Sequence, residues 1–164
     1  MKLRFRAAPG SALRGSLTYA RSEHSFLYEA DDPGDLACRA GSSGVTSLVV
    51  DTLQLEVGVE TGQALYIWGY HPAGQWESTS LSLPEAAPGE LLVTADEGLE
   101  EAVSVPLPGG DWRTRFDPDQ GIVHVARTSQ ADDVVRHVRI ADGVIVGLAG
   151  DSVRDFWLRP VFEV

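Results

Sequence analysis

The chain has 164 residues, 43% hydrophobic and 23% charged, so it can bury a core and has the composition of a globular rather than a disordered protein. Its formal net charge of −11 repels phosphate backbones and disfavours nucleic-acid binding. No apolar run reaches the roughly 18 residues of a membrane span, and the single cysteine, Cys38, excludes an internal disulfide or a cysteine metal cluster. One domain in a reducing cytoplasm is the expectation.

The first sixteen residues, MKLRFRAAPGSALRGS, carry the basic groups of a signal peptide, but every apolar run is too short for its hydrophobic region, so no secretion signal is expected. Ser11 to Ser22 reads as a short helix with Gly15 as a weak point. EADDPGD then gathers Glu29, Asp31, Asp32 and Asp35. Leu53, Leu55, Val57 and Val59 alternate with polar residues or glycine, and Ala64 to His71 returns after Glu60-Thr61-Gly62-Gln63, which predicts a β-hairpin.

The returning strand places Tyr66, Trp68 and Tyr70 on one face, opposite Ile67 and Gly69. Such a row is a stacking platform if it faces solvent and a core layer if a second sheet covers it; the thinness of the opposite face favours the core. Trp76, beyond the Pro72 turn, is expected at the surface, starting a third strand from Trp76 to Leu83. ELLVTA, EAVSVPL, WRTRF, GIVHVAR, GVIVGL and DFWLRPVFEV add six strand candidates, with a turn at Phe116 to Gly121. Ser129 to Ile140 reads as helix or strand. The expected fold is mainly β: an antiparallel two-sheet sandwich or distorted barrel with at most one or two short helices.

An internal echo runs through these strands. Val57-Gly58 and Trp68 recur as Val146-Gly147 and Trp157, 89 residues later. Three identities over such a span are near what two strand-rich segments share by chance, and nothing in the sequence decides between chance and duplication.

Charge is uneven along the chain. Residues 40 to 112 contain eleven acids and no Lys or Arg, whereas both flanking segments are nearly neutral. That middle suits a basic protein partner, set against the simpler reading that acidity maintains solubility. ADEGLEEA contributes Glu97, Glu100 and Glu101 to the expected contact surface, with Tyr70, His71 and Trp76 as its other members.

No catalytic residue is expected from motif. There is no G-x-S-x-G elbow, no phosphate loop, no G-x-G-x-x-G and no H-E-x-x-H, and His24, His71, His124 and His137 have no ligand spacing. No cofactor and no metal site is expected. The two acidic clusters could offer oxygens to Ca²⁺ but lack the D-x-D-x-D-G order. His124, between Ile122 and Ala126 on one strand face, reads as structural. A carboxylate or His71 acting as acid or base in a small hydrolase or carbohydrate-handling enzyme is the alternative to a non-enzymatic binding module, and a homo-oligomer is a third reading.

Phe116 to Leu158, with Asp117-Pro118, the apolar strand Val144 to Leu148 and Gly143, resembles a small bacterial domain family of unknown function. Members begin with a Tyr-Asp-Pro turn, continue into an apolar strand and end in an acidic, glycine-containing hairpin. After the turn they have an acidic residue and Leu-Tyr-Ile where this chain has Gly121-Ile122-Val123-His124. The resemblance implies strands here, including over Val134 to Ile140, and implies no activity.

Overall fold

Alternating apolar residues become strands with one buried side at Leu3–Ala8 and Leu53–Gly58, whereas the continuous apolar run Val144–Ala149 is buried on both sides; the computed structural model describes residues 1–108, 110–128 and 135–164. In chain order the elements are β1 (Leu3–Ala8), β2 (Gly15–Ala20), β3 (Ser25–Ala30), α1 (Pro33–Ala40), β4 (Val45–Val50), β5 (Leu53–Gly58), β6 (Ala64–Tyr70) and β7 (Glu77–Ser78). They continue as β8 (Ala87–Pro88), β9 (Glu90–Ala95), β10 (Val105–Pro106), β11 (Trp112–Asp117), β12 (Ile122–Arg127), β13 (Arg136–Ala141), β14 (Val144–Ala149), β15 (Ser152–Leu158) and β16 (Val161–Glu163). A single 3₁₀ turn, Ala73–Gln75, follows β6. The architecture is a mainly antiparallel sandwich, not a closed barrel.

One sheet has the order β10-β4-β5-β6-β3-β2-β16 and the other β7-β11-β12-β15-β14-β13-β8. Read from opposite ends, the two orders are the same. Each has five antiparallel strands in which the second pairs with the fifth and the chain returns through the fourth to the third, a Greek-key order, flanked by short parallel strands supplied from elsewhere in the chain. Thus β2, β3, β4, β5 and β6 correspond to β11, β12, β13, β14 and β15, and β16 on β2 answers β7 on β11.

The remaining pair, β1 and β9, forms a separate antiparallel ribbon with Phe5 opposite Val93. The Phe5 N–H donates to the Asp151 carbonyl, in the turn between β14 and β15, and the Val93 N–H to the Gly62 carbonyl, in the turn between β5 and β6. The two contacts thus fall at corresponding turns of the two sheets. Of the echo in the sequence, Trp68 and Trp157 occupy the same place in the hairpins β5–β6 and β14–β15, whereas Val146 and Gly147 fall at the places of Leu55 and Glu56, two residues out of step with Val57 and Gly58.

Inner faces of both sheets meet in one core that includes Tyr19, Phe26, Leu55 and Ile67 from the first and Val125, Val146, Phe156 and Leu158 from the second. Each of these eight is fully buried, and burial at that level stabilises by roughly 1.5–3 kcal/mol per large side chain.

Several expectations are corrected. Ser11 to Ser22 is not helical, because Leu17 and Tyr19 alternate into the core as strand β2. The helix lies at Pro33–Ala40 instead, where the Asp32 side chain accepts the Gly34 N–H at 2.9 Å and Pro33 starts the first turn. The third strand is only Glu77–Ser78; the chain from there to Pro88 passes from the β11 edge to the β13 edge of the second sheet. Of the segment read as helix or strand, Arg136–Ile140 lies in β13, and Ser129 to Val134 lie outside the described residues.

The aromatic row is not core. Leu65, Ile67 and Gly69 face inward, while Tyr66 and Trp68 are half-buried on the outer face and Tyr70 is 52% exposed. Tyr66 stacks on Tyr28, ring centroids 5.1 Å apart, where β3 and β6 part after only two paired positions. Trp76 also departs from expectation: the 3₁₀ turn folds it back against Tyr19 (4.9 Å), Phe116 (5.5 Å) and Phe26 (6.0 Å) between the sheets.

No helix among the described residues is long and apolar enough to cross a membrane.

Candidate functional site

The two sheets are alike in order and unlike in chemistry. The strands of the first sheet contain no Lys, Arg or His and three acids, Glu29, Glu56 and Glu163. Those of the second contain six arginines, 113, 115, 127, 136, 139 and 154, with His124 and His137.

Register shows what each outer face presents. On the first sheet Val161 pairs Thr18, which pairs Leu27; Leu27 follows the Phe26–Gly69 pair, which brings it beside Trp68. Val161, Tyr70 and Leu27 are 65%, 52% and 47% exposed, an unusual apolar stripe for a strand surface. Glu29 and Glu163 flank it on the same face, since both are exposed and two residues from Leu27 and Val161. Glu56 accepts from the Ser47 hydroxyl at 2.8 Å and faces the Tyr66 hydroxyl at 3.5 Å; burial first, and Glu56 second, push that phenol's pKa up.

The corresponding row on the second sheet runs Arg115, His124, Trp157, Ile145, Arg139 across five strands. His124 stacks on Trp157 at 3.8 Å, receives an Arg115 N–H on Nδ1 at 3.2 Å and lies 3.0 Å from Asp155 Oδ2 through Nε2. A cationic donor at Nδ1 leaves the ring proton on Nε2, directed at the carboxylate. Asp155 reaches this place because its cross-strand partner is Gly147: a Cβ there would lie 1.9 Å from Asp155 Oδ1. His137 approaches the same carboxylate from the far side at 3.8 Å. Sequence spacing hid this cluster, since His124, His137 and Asp155 are 13 to 31 residues apart along the chain.

The residues nominated from sequence do not form one patch. Tyr70 faces outward and its neighbour His71 inward, 4% exposed, with Nδ1 2.7 Å from the Thr52 hydroxyl and Nε2 2.7 Å from that of Thr114. Burial lowers the His71 pKa, against an opposing pull from Asp51, so the ring is held neutral. With both nitrogens engaged it has none free to take a substrate proton. Trp76 lies 5.8 Å from His71 in the same wall.

Glu97, Glu100 and Glu101 are exposed in the loop after β9, at the other end of the first sheet. There the Ala102 N–H donates to the Val45 carbonyl at the start of β4, and Glu101 folds against Gly44, whereas His71 lies by the turn that follows the end of β4. Six residues of strand, roughly 20 Å, separate the two groups.

Neither acidic cluster forms a cation cage. Asp32 caps α1, Asp35 pairs with Arg39 at 2.9 Å, and no three His, Cys, Asp or Glu side chains among the described residues are grouped to hold a metal ion. No protein-family model matches the chain, and no curated protein matches its sequence.

Proposed function

We propose that this protein is a non-enzymatic interaction module that docks a basic protein through the outer face and acidic end of its first sheet. The observation that carries this reading is the absence of any cation from seven strands that also expose Leu27, Tyr70 and Val161. Exposed apolar residues running from the end of β6 across β3 to the edge strand β16, with Glu29 and Glu163 beside them, suit the apolar contact and polar rim of a specific interface. Charge of one sign speeds encounter with an opposite partner and penalises the wrong one.

Glu29 and Glu163 would meet the partner beside the stripe, and Glu97, Glu100 and Glu101 would steer it from the end. A nuclease toxin held by an acidic inhibitor is one concrete form, and the cytoplasm is the compartment proposed for it.

The test is capture from native lysate at low and high salt, identification by mass spectrometry, and calorimetry with the purified partner. One dominant basic protein should be retained at low salt, lost at high salt, and bound several-fold more weakly when Glu97, Glu100 and Glu101 become Gln. Binding that ignores salt, or no enriched partner, would refute the reading.

A further inference from the structure

The likeness of the two sheets poses a question at His71. By strand order and register, Thr52 corresponds to Gly143 in the turn between β13 and β14, Thr114 to Leu17, and His71 to Pro160, 89 residues on. Gly143, Leu17 and Pro160 are packed together: a Cβ on Gly143 would lie 3.4 Å from Leu17, the Arg159 N–H donates to the Gly143 carbonyl, and Pro160 is buried. One half of the molecule closes this junction with apolar groups, so the fold does not need a buried imidazole and two hydroxyls there. Burying them costs desolvation that the apolar version avoids.

The polar junction also opens. A cleft of about 320 Å³ is walled by Trp76 and Trp112, floored by His71, Thr52 and Thr114, and reaches Arg113 at its rim. That volume falls within the range of small-molecule sites, and aromatic walls with a few hydroxyl groups suit a polar ring. A separate shallow cavity of about 90 Å³ over Ala126, bordered by Arg115 and Arg127, shares Arg113 and Thr128 with this cleft. Arg113 and Arg115 are two apart on β11, and the small Ala126 opposite Arg113 leaves room between them.

We propose that the cleft and its adjoining cavity bind a small phosphorylated ring compound, a sugar phosphate or a nucleoside monophosphate, with the ring against Trp76, Trp112 and the His71–threonine floor and the phosphate reaching round the β11 edge to Arg113 and to Arg115, which would exchange its bond to His124 Nδ1 for the phosphate. Guanidinium pairs are suited to phosphate oxygens. Arg113 is held at 3.3 Å by Glu77, but both side chains are 59% exposed, and such a pair yields readily to a better anion. Asp51 at the mouth disfavours a second negative group, which limits the ligand to one phosphate. This site is independent of whatever docks on the first sheet.

Calorimetry with adenosine 5′-monophosphate, glucose 6-phosphate and inorganic phosphate tests it on the whole chain. One of the two ring compounds should bind at least tenfold more tightly than inorganic phosphate, and which one binds identifies the source. Replacing Arg113 and Arg115 together by Ala should weaken that binding about tenfold or more, while Arg159→Ala leaves it unchanged. Glu77→Gln should tighten it, and Gln75→Trp, which fills the exposed mouth, should block the ring compound but not inorganic phosphate. Circular dichroism confirms that each surface variant folds. No binding of either ring compound at millimolar concentration, binding no tighter than inorganic phosphate, or binding indifferent to the two arginines would overturn the proposal.

Discussion

The first sheet and the second have the same strand order, the same hairpin with an outward tryptophan and the same edge strand borrowed from the other half, yet one has no cation in its strands and the other six arginines. Strand order is set by inward residues, which match between the two sheets: Ile67 with Phe156, Leu55 with Val146, Leu48 with Val138. Outward residues are free of that demand. Where they differ, as Leu27 against His124 or Thr18 against Arg115, the difference belongs to what each face meets.

The comparison can be broken most severely in the core. Ile67→Ala and Phe156→Ala, both at fully buried equivalent positions, should each cost about 2–5 kcal/mol in urea unfolding, with one cooperative transition in each case. Two separated transitions would mean that the sheets are not one folding unit.

A smaller effect separates Gly58 on β5 from Gly147 on β14. A Cβ on Gly58 would lie 2.3 Å from the Ala40 carbonyl at the end of α1, a backbone atom that cannot yield, whereas on Gly147 it meets the carboxylate of Asp155, which can rotate. Gly58→Ala should therefore destabilise by about 1–3 kcal/mol, and Gly147→Ala by less. The second change should instead show in NMR as altered His124 and His137 ring resonances. Equal costs with unchanged histidines would show that Asp155 does not depend on the glycine.

Smaller again is the pH response at the polar junction. Because the folded His71 has a lowered pKa, the unfolded chain binds the extra proton first, and stability falls as pH drops below the unfolded value of about 6.5. His71→Gln, which keeps an amide between Thr52 and Thr114, should flatten that arm of the stability curve between about pH 7 and 5. An unchanged slope would place the titration elsewhere.

Parts of this were legible in the sequence. The β5–β6 hairpin followed from strict alternation and a glycine turn, with Gly62 at φ +70°. The face of its aromatic row was also legible and was misread. In an antiparallel hairpin cross-strand partners share a face, and Tyr66 and Trp68 pair with Glu56 and Gln54, so the rings had to lie on the polar side. Asp32-Pro33 carried a helix start that the acidic cluster obscured. The charge division between sheets was not legible, because Glu29, Glu56 and Glu163 meet on one face only after β16 crosses to β2. Nor was the His71 junction: Thr52 and Thr114 come from different halves of the chain, and only the packing of one sheet on the other brings them to the same ring.

The measurement that bears most directly on the account is lysate capture with two matched variants, Leu27→Ser with Tyr70→Ser on the first sheet and Arg136→Gln with Arg139→Gln on the second. The account predicts that the basic partner is lost with the first pair and retained with the second. Retention with the first pair and loss with the second would contradict it.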